Sequence, residues 1–154
     1  MKSLNLPTYS FKIKSEGNID YIFDQFRKKY IMLTPEEWVR QNVVCFLVNE
    51  RGFPGSGIVL EKSLKVHDLH KRTDILAYNK SGSPVLLVEC KAPGVKINNL
   101  TFIQASVYNY HFRVRYLMVT NGIKHYCCSV DFETGEISFL KDIPSYAEIE
   151  SGAY

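Results

Sequence analysis

Residues Arg72–Pro93 read RTDILAYNKSGSPVLLVECKAP. The stretch predicts two short strands, Arg72 to Tyr78 and Val85 to Lys91, with Asn79-Lys80-Ser81-Gly82-Ser83-Pro84 between them a turn by composition. Val85 to Cys90 is almost continuously hydrophobic, as expected of a central strand covered on both faces. Yet the hairpin delivers three ionisable groups, Asp74, Glu89 and Lys91, into that apolar setting, where charges are costly unless paired. Alternation along the strand puts Glu89 and Lys91 on one face, a pleat apart.

Upstream of the hairpin, Thr34 is expected to cap a helix, with Pro35 at its first position and Glu37 completing a capping box. Its body, Trp38 to Val48, is apolar and predicted to be mostly buried, and Gly52 suits the C-terminal cap. Tyr9 to Lys14 alternates like a first strand, and Arg27-Lys28-Lys29 reads as a solvated basic face. Ile58 to Val66 predicts another strand, with Glu61 solvated on its edge and the polar run His67 to Lys71 as the turn after it.

Downstream, Leu100 to Phe112 has helical periodicity, with Ile103, Val107 and Tyr110 on one stripe and Gln104, Tyr108 and His111 on another. Arg115 to Thr120 is an apolar strand closed by Asn121-Gly122; strands near Lys124–Val130 and Glu136–Leu140 follow, and the tail from Pro144 is weakly patterned. A helix between Lys91 and Arg115 supplies the crossover that parallel pairing requires. The expected fold class is therefore α/β: a mixed central sheet flanked by helices, with extra N- and C-terminal strands, in a single domain over residues 1–154.

Composition narrows the function classes. At 45% hydrophobic and 23% charged residues, the chain reads as an ordinary globular domain, and a net charge of +3 permits a polyanionic partner without demanding one. No apolar run approaches the roughly 20 residues of a membrane span, and MKSLNLPTYSFKIK lacks a signal-peptide core, so a cytoplasmic location without membrane contact is expected. The four cysteines form no CxxC pair, and adjacent Cys127 and Cys128 should point to opposite sides of a strand as reduced thiols. No GxxxxGK[ST] loop occurs, which excludes ATP hydrolysis by that route.

Two carboxylates converging at strand ends make a hard oxygen site suited to Mg²⁺ or Mn²⁺. A lysine beside them can orient water and stabilise charge growing on a phosphate. Asp74 and Glu89 as metal ligands, with Lys91 adjacent, supply that set of parts. Asp74, fourteen residues, then Glu89-Cys90-Lys91 resembles the motif of the PD-(D/E)XK nucleases. PEEWVRQN, RTDILAY, VLLVECKAPG, QASVYNY and YLMVTNG are similar to the nuclease domain of type I restriction enzyme R subunits, a likeness that covers roughly residues 30 to 126. Arg72-Thr73 stand where the proline of the motif's name would be.

The resemblance implies a restriction-endonuclease-like core (helix, three strands, helix, strand) and Mg²⁺-dependent DNA cleavage. It implies that Asp74 and Glu89 hold the metal, that the Cys90 carbonyl is a further ligand, that Lys91 activates water, and that Gln104 serves near the lysine or the DNA backbone. A glutamate of the first helix would complete the set, Glu37 being favoured over Glu36, although Glu37 also has a rival role as the capping-box acid. Lys71, Arg72 and Tyr108 are the candidate DNA contacts. The expected partners are DNA, the motor and specificity subunits of a restriction complex, and a second copy of the chain. The alternative function is a catalytically silent module that keeps the fold and binds DNA or a partner.

Overall fold

The computed structural model describes residues 1–66 and 69–153, with the backbone alone at 64–66, 69–71 and 108. Strands Ile13–Glu16 (β1), Ile19–Asp24 (β2) and Lys29–Met32 (β3) form a three-stranded antiparallel sheet of their own. The first strand thus starts later than the alternation from Tyr9 suggests, and the basic triplet lies at the turn between β2 and β3.

Helix Pro35–Asn49 (α1) follows, then a second sheet built from Ile58–Val66 (β4), Leu69–Tyr78 (β5), Pro84–Cys90 (β6), Tyr116–Thr120 (β7), His125–Val130 (β8) and Ile137–Phe139 (β9). The strands lie in chain order. All neighbours pair antiparallel except β6 and β7, which are parallel and joined through helix Asn99–Phe112 (α2). The mixed sheet with a single crossover is the expected one. Of the predicted turn over residues 67–71, the part from Leu69 belongs to β5, while 67 and 68 lie outside the described residues.

Two apolar layers cover the sheet. Val39, Val43, Val44 and Leu47 of α1 pack with Ile75, Ala77, Leu86, Val88, Cys90 and Met118. On the opposite face Ala105 of α2 packs with Leu76, Leu87, Leu117 and Val119. The period-two split of β6 explains its unbroken hydrophobicity: Leu86 and Val88 face one helix and Leu87 the other. Cys127 and Cys128 divide between the two layers in the same way, and all four thiols are free.

Thr34 caps α1, its hydroxyl accepting from Glu37 N–H at 3.0 Å. The box is only half closed, because the Glu37 carboxylate turns to arginines and Gln41 instead. The weakly patterned tail contains a third helix, Tyr146–Ser151 (α3), opened by a complete Ser145/Glu148 capping box. None of the helices, among the described residues, is long and apolar enough to cross a membrane.

Close approach at the start of β4 gives a first prediction. A Cβ on Gly57 would lie 2.6 Å from the Tyr78 carbonyl oxygen, a contact with rigid backbone. Gly57→Ala is expected to destabilise the domain by about 1–3 kcal/mol. Urea unfolding checks it, and a loss below about 0.5 kcal/mol would contradict that contact.

Candidate active site at the splayed end of β5 and β6

Backbone pairing of β5 with β6 stops at Ile75↔Val88. One residue further on each strand stand Asp74 and Glu89, which the antiparallel register sets opposite each other. The amide beyond, Cys90 N–H, lies past the last paired position of the two strands and donates to Asp74 Oδ2 at 2.6 Å. The Asp74 side chain therefore closes the gap between the diverging strands. Lys91 N–H continues the ladder on the other side, donating to the Thr120 carbonyl of β7 at 2.8 Å. Its Nζ turns back to Glu89 Oε1, also at 2.8 Å.

Helix α1 approaches this end with its first two turns. Arg40 Nη2 donates to Asp74 Oδ1 at 2.7 Å and lies 3.3 Å from Glu36 Oε1. Its Nη1 pairs with Glu37 Oε2 and lies 3.6 Å from Glu61 Oε1. A second arginine, Arg27, binds Asp24 Oδ2 through Nε, Glu37 Oε1 at 2.5 Å through Nη2, and Glu61 Oε2 at 2.5 Å through Nη1. Gln41 donates to Asp24 Oδ2 at 3.0 Å and to Glu37 Oε1 at 2.8 Å. Glu61 reaches the network from a left-handed backbone conformation, φ +48°, in mid-strand, where a residue other than glycine is strained.

Charge is unbalanced in this cluster. Among the described residues, Asp24, Glu36, Glu37, Glu61, Asp74 and Glu89 face Arg27, Arg40 and Lys91, an excess of three negative charges. Burial and charge act together on the titrating groups. Burial and the neighbouring Asp74 charge raise the Glu89 carboxyl above its ordinary range, against the opposing pull of Lys91. Burial and Asp74 raise Glu36 in the same sense. Burial alone would lower the Lys91 ammonium, but its hydrogen bond to Glu89 and the charges of Glu89, Asp74 and Glu36 raise it overall. Lys91 is thus held as a cation.

These shifts fix the sign of a pH effect. A carboxyl whose pKa is higher folded than unfolded contributes stability at low pH and loses it as pH rises through the folded value. Metal-free Glu89→Gln is therefore expected to match the native chain below the ordinary 4.5 of the carboxyl and to become relatively more stable as pH rises toward 7. Thermal unfolding from pH 4 to 8 reads this difference; one independent of pH would overturn it.

Of the residues singled out from the sequence, Asp74, Glu89 and Lys91 come together. Glu36, rather than Glu37, is the helix carboxylate that interacts with Asp74, Glu89 and Lys91. Glu37 is buried and committed to Arg27, Arg40 and Gln41. Cys90 meets Asp74 through its amide. Gln104 is exposed on α2, with no hydrogen bond among the described residues, and Arg72 is exposed on β5. The side chains of Lys71 and Tyr108 lie outside the described residues.

Sequence reasoning missed Arg40 and Arg27, and read Glu61 as merely solvated. One signal was present: Arg40 interrupts an apolar helix body, and a buried guanidinium needs a counter-charge.

The comparisons with known proteins agree with this architecture. A fragment described as belonging to an HsdR subunit of a type I restriction enzyme from Vibrio vulnificus has a similar fold, with a TM-score of 0.57 at 22% sequence identity. The match covers 77% of this chain and 25% of that one, so the chain spans about a quarter of that structure's length. No curated protein matches the chain. The family model of the type I restriction enzyme R protein N terminus matches residues 35–144, from the first turn of α1 past the last strand of the main sheet, and the chain belongs to that family.

Proposed function

We propose that this domain is a metal-dependent deoxyribonuclease that hydrolyses a DNA phosphodiester with water as the nucleophile. The observation that carries the reading is the meeting of Asp74, Glu89 and Lys91 where β5 and β6 part, with Glu36 beside them.

The donor set fits a magnesium or manganese ion in kind and in charge. It offers hard carboxylate oxygens, it sits in a network where carboxylates outnumber cations among the described residues, and two of its carboxyls, Glu36 and Glu89, are raised by burial first and by the Asp74 charge second. As the side chains stand, no three His, Cys, Asp or Glu among the described residues are gathered to hold an ion. Asp74 Oδ1 and Oδ2 are both engaged, by Arg40 and by Cys90 N–H. Asp74, Glu89 and Glu36 are the residues that would hold the ion, the first of them once its Oδ1 is released. Such an ion supplies Lewis-acid polarisation of a phosphoryl oxygen and lowers the pKa of water.

The chain's own residues divide the remaining work. Lys91 stays protonated near neutral pH, so it serves as a donor: it orients water and stabilises charge developing on the phosphate, and does not act as a base. Glu36 belongs to the ion-holding set, and the proton that water gives up passes to bulk water. Phosphorus gains the water oxygen and loses a sugar oxygen, which leaves with the P–O electron pair and takes a proton from bulk water, with no covalent enzyme intermediate. Arg72, Lys71 and Tyr108 are proposed to contact DNA, and motor and specificity subunits, or a second copy, to be the partners.

Plasmid cleavage in Mg²⁺ or Mn²⁺ tests the reading. Lys91→Ala is expected to cut about 10²–10³-fold more slowly than the native chain; equal rates, or cutting undiminished by chelator, would remove it. A second reading, a silent module that binds DNA or a partner without cutting, is favoured by one observation, the seat of Arg40 on Asp74. Salt-dependent DNA binding with no cleavage by the native chain would select it.

A further inference from the structure

We infer that Arg40 is a resident counter-cation of the site, and that a divalent ion gains Asp74 Oδ1 only as the guanidinium moves from Asp74 onto Glu61. The inference rests on the metal-binding part of the nuclease reading and goes beyond it.

Three observations carry it. Arg40 is buried, and Nη2 holds the Asp74 oxygen that a metal would need, at 2.7 Å. The arginine has a second seat within reach: Glu61 Oε1 lies 3.6 Å from Nη1, too far for a full hydrogen bond yet close enough for a small shift to make one. Arg40 Nε is buried with no hydrogen-bond partner among the described residues, so the present position leaves a donor unspent.

The backbone supports the second seat. Register between β4 and β5 passes from Leu60↔Ile75 to Lys62↔Thr73, so Glu61 stands across from Asp74. At φ +48° it leaves the ladder, and its carboxylate reaches the arginines. A strained glutamate opposite the key aspartate is a feature that folding alone does not require. Glu61 is also the more exposed of the two carboxylates, its side chain 34% accessible against 12% for Asp74, so it can take up a new partner with less disturbance.

A ligand that binds only the displaced state has its apparent affinity reduced by the scarcity of that state. Weakening the hold of residue 40 on Asp74 should therefore tighten metal binding, and removing the second seat should weaken it. Arg40→Lys keeps the charge, so a simple Coulombic effect predicts no change; a lysine lacks the planar fork that spans Glu37 and Asp74.

The experiment is calorimetric titration of Mg²⁺ into the native chain, Arg40→Lys and Glu61→Gln without DNA, with Glu89→Gln as a ligand-deficient control. Alongside it, the Arg40 Nε resonance is followed by NMR. Arg40→Lys is expected to bind about tenfold tighter than native and Glu61→Gln several-fold weaker. The Nε resonance should move on Mg²⁺ addition in the native chain and much less in Glu61→Gln. If Arg40→Lys fails to fold, Glu61→Gln and the resonance decide.

Mg²⁺ affinity equal in all three chains, with the Nε resonance unmoved, overturns the inference and leaves the nuclease reading standing. Binding by Arg40→Lys where the native chain binds nothing supports the inference and makes the native chain the silent module. No binding by either overturns both.

Discussion

Asp74→Asn is expected to abolish cleavage, a fall of about 10²–10³-fold or more, and to lower stability by about 3–5 kcal/mol although the side chain keeps its shape. The carboxylate accepts from two donors, Arg40 Nη2 on Oδ1 and Cys90 N–H on Oδ2. An asparagine has one acceptor and one donor end, so either way round an N–H faces an N–H. Arg40, buried, also loses a counter-charge, which is why the cost exceeds that of a single hydrogen bond. A change at Glu89 separates this account from mere unfolding. The Asp74 charge is second only to burial in raising Glu89, so the Glu89 carboxyl should titrate lower in the folded Asn variant. Urea unfolding, cleavage rates below the transition and carboxyl NMR titration together check the prediction. A variant as stable as native would mean that Asp74 does not bridge the strands as described.

How much of this was legible in the sequence depended on whether the signal was local. The β5–β6 hairpin was readable because alternation, turn composition and a hydrophobic run all lie within it. Thr34 and Pro35 announced α1 for the same reason. The Ser145/Glu148 box of α3 was equally local and was overlooked, since only a short helix follows it. The N-terminal sheet was harder: Tyr9 to Ser10 carries the alternation into a segment that does not pair, while β2 and β3 turn on Lys28, which adopts φ +54° without being a glycine or asparagine.

For the site, Asp74, Glu89 and Lys91 could be read because strand periodicity relates them. The choice between Glu36 and Glu37 could not, because it depends on Arg27, ten residues before Glu37, which claims Glu37 and leaves Glu36 to Asp74. Arg40 and Asp74 are 34 residues apart, and no pattern within either segment encodes their pairing. The basic triplet fails as a solvated face for the same reason: Lys28 and Lys29 are exposed, but Arg27 is drawn inward by partners on three other elements or turns.

That inward arginine sets the largest stability effect away from the reacting groups. Arg27→Met keeps much of the side chain's apolar volume but takes one cation away from three carboxylates. Asp24 is fully buried, and the Arg27 backbone N–H first, then the guanidinium's hydrogen bond and charge, overcome the burial that would otherwise raise its carboxyl, holding it below the ordinary range; methionine keeps the amide and loses the guanidinium. Glu37 retains Arg40 and Gln41, and Glu61 is half-exposed, so the uncompensated charge falls chiefly on Asp24. Removing one partner of a buried ion pair typically costs about 3–5 kcal/mol, and the Arg27 side chain, 14% accessible, is buried enough for that range to apply. The sign of the pH dependence follows. A carboxyl held low in the folded state contributes stability above its unfolded pKa, and that contribution disappears as pH falls through the folded value. The native chain should therefore lose its advantage over Arg27→Met on acidification below the ordinary 3.8 of Asp24. Urea unfolding at pH 7 and pH 3 measures both. A loss under about 1 kcal/mol at pH 7 would show that Asp24 and Glu37 do not depend on Arg27.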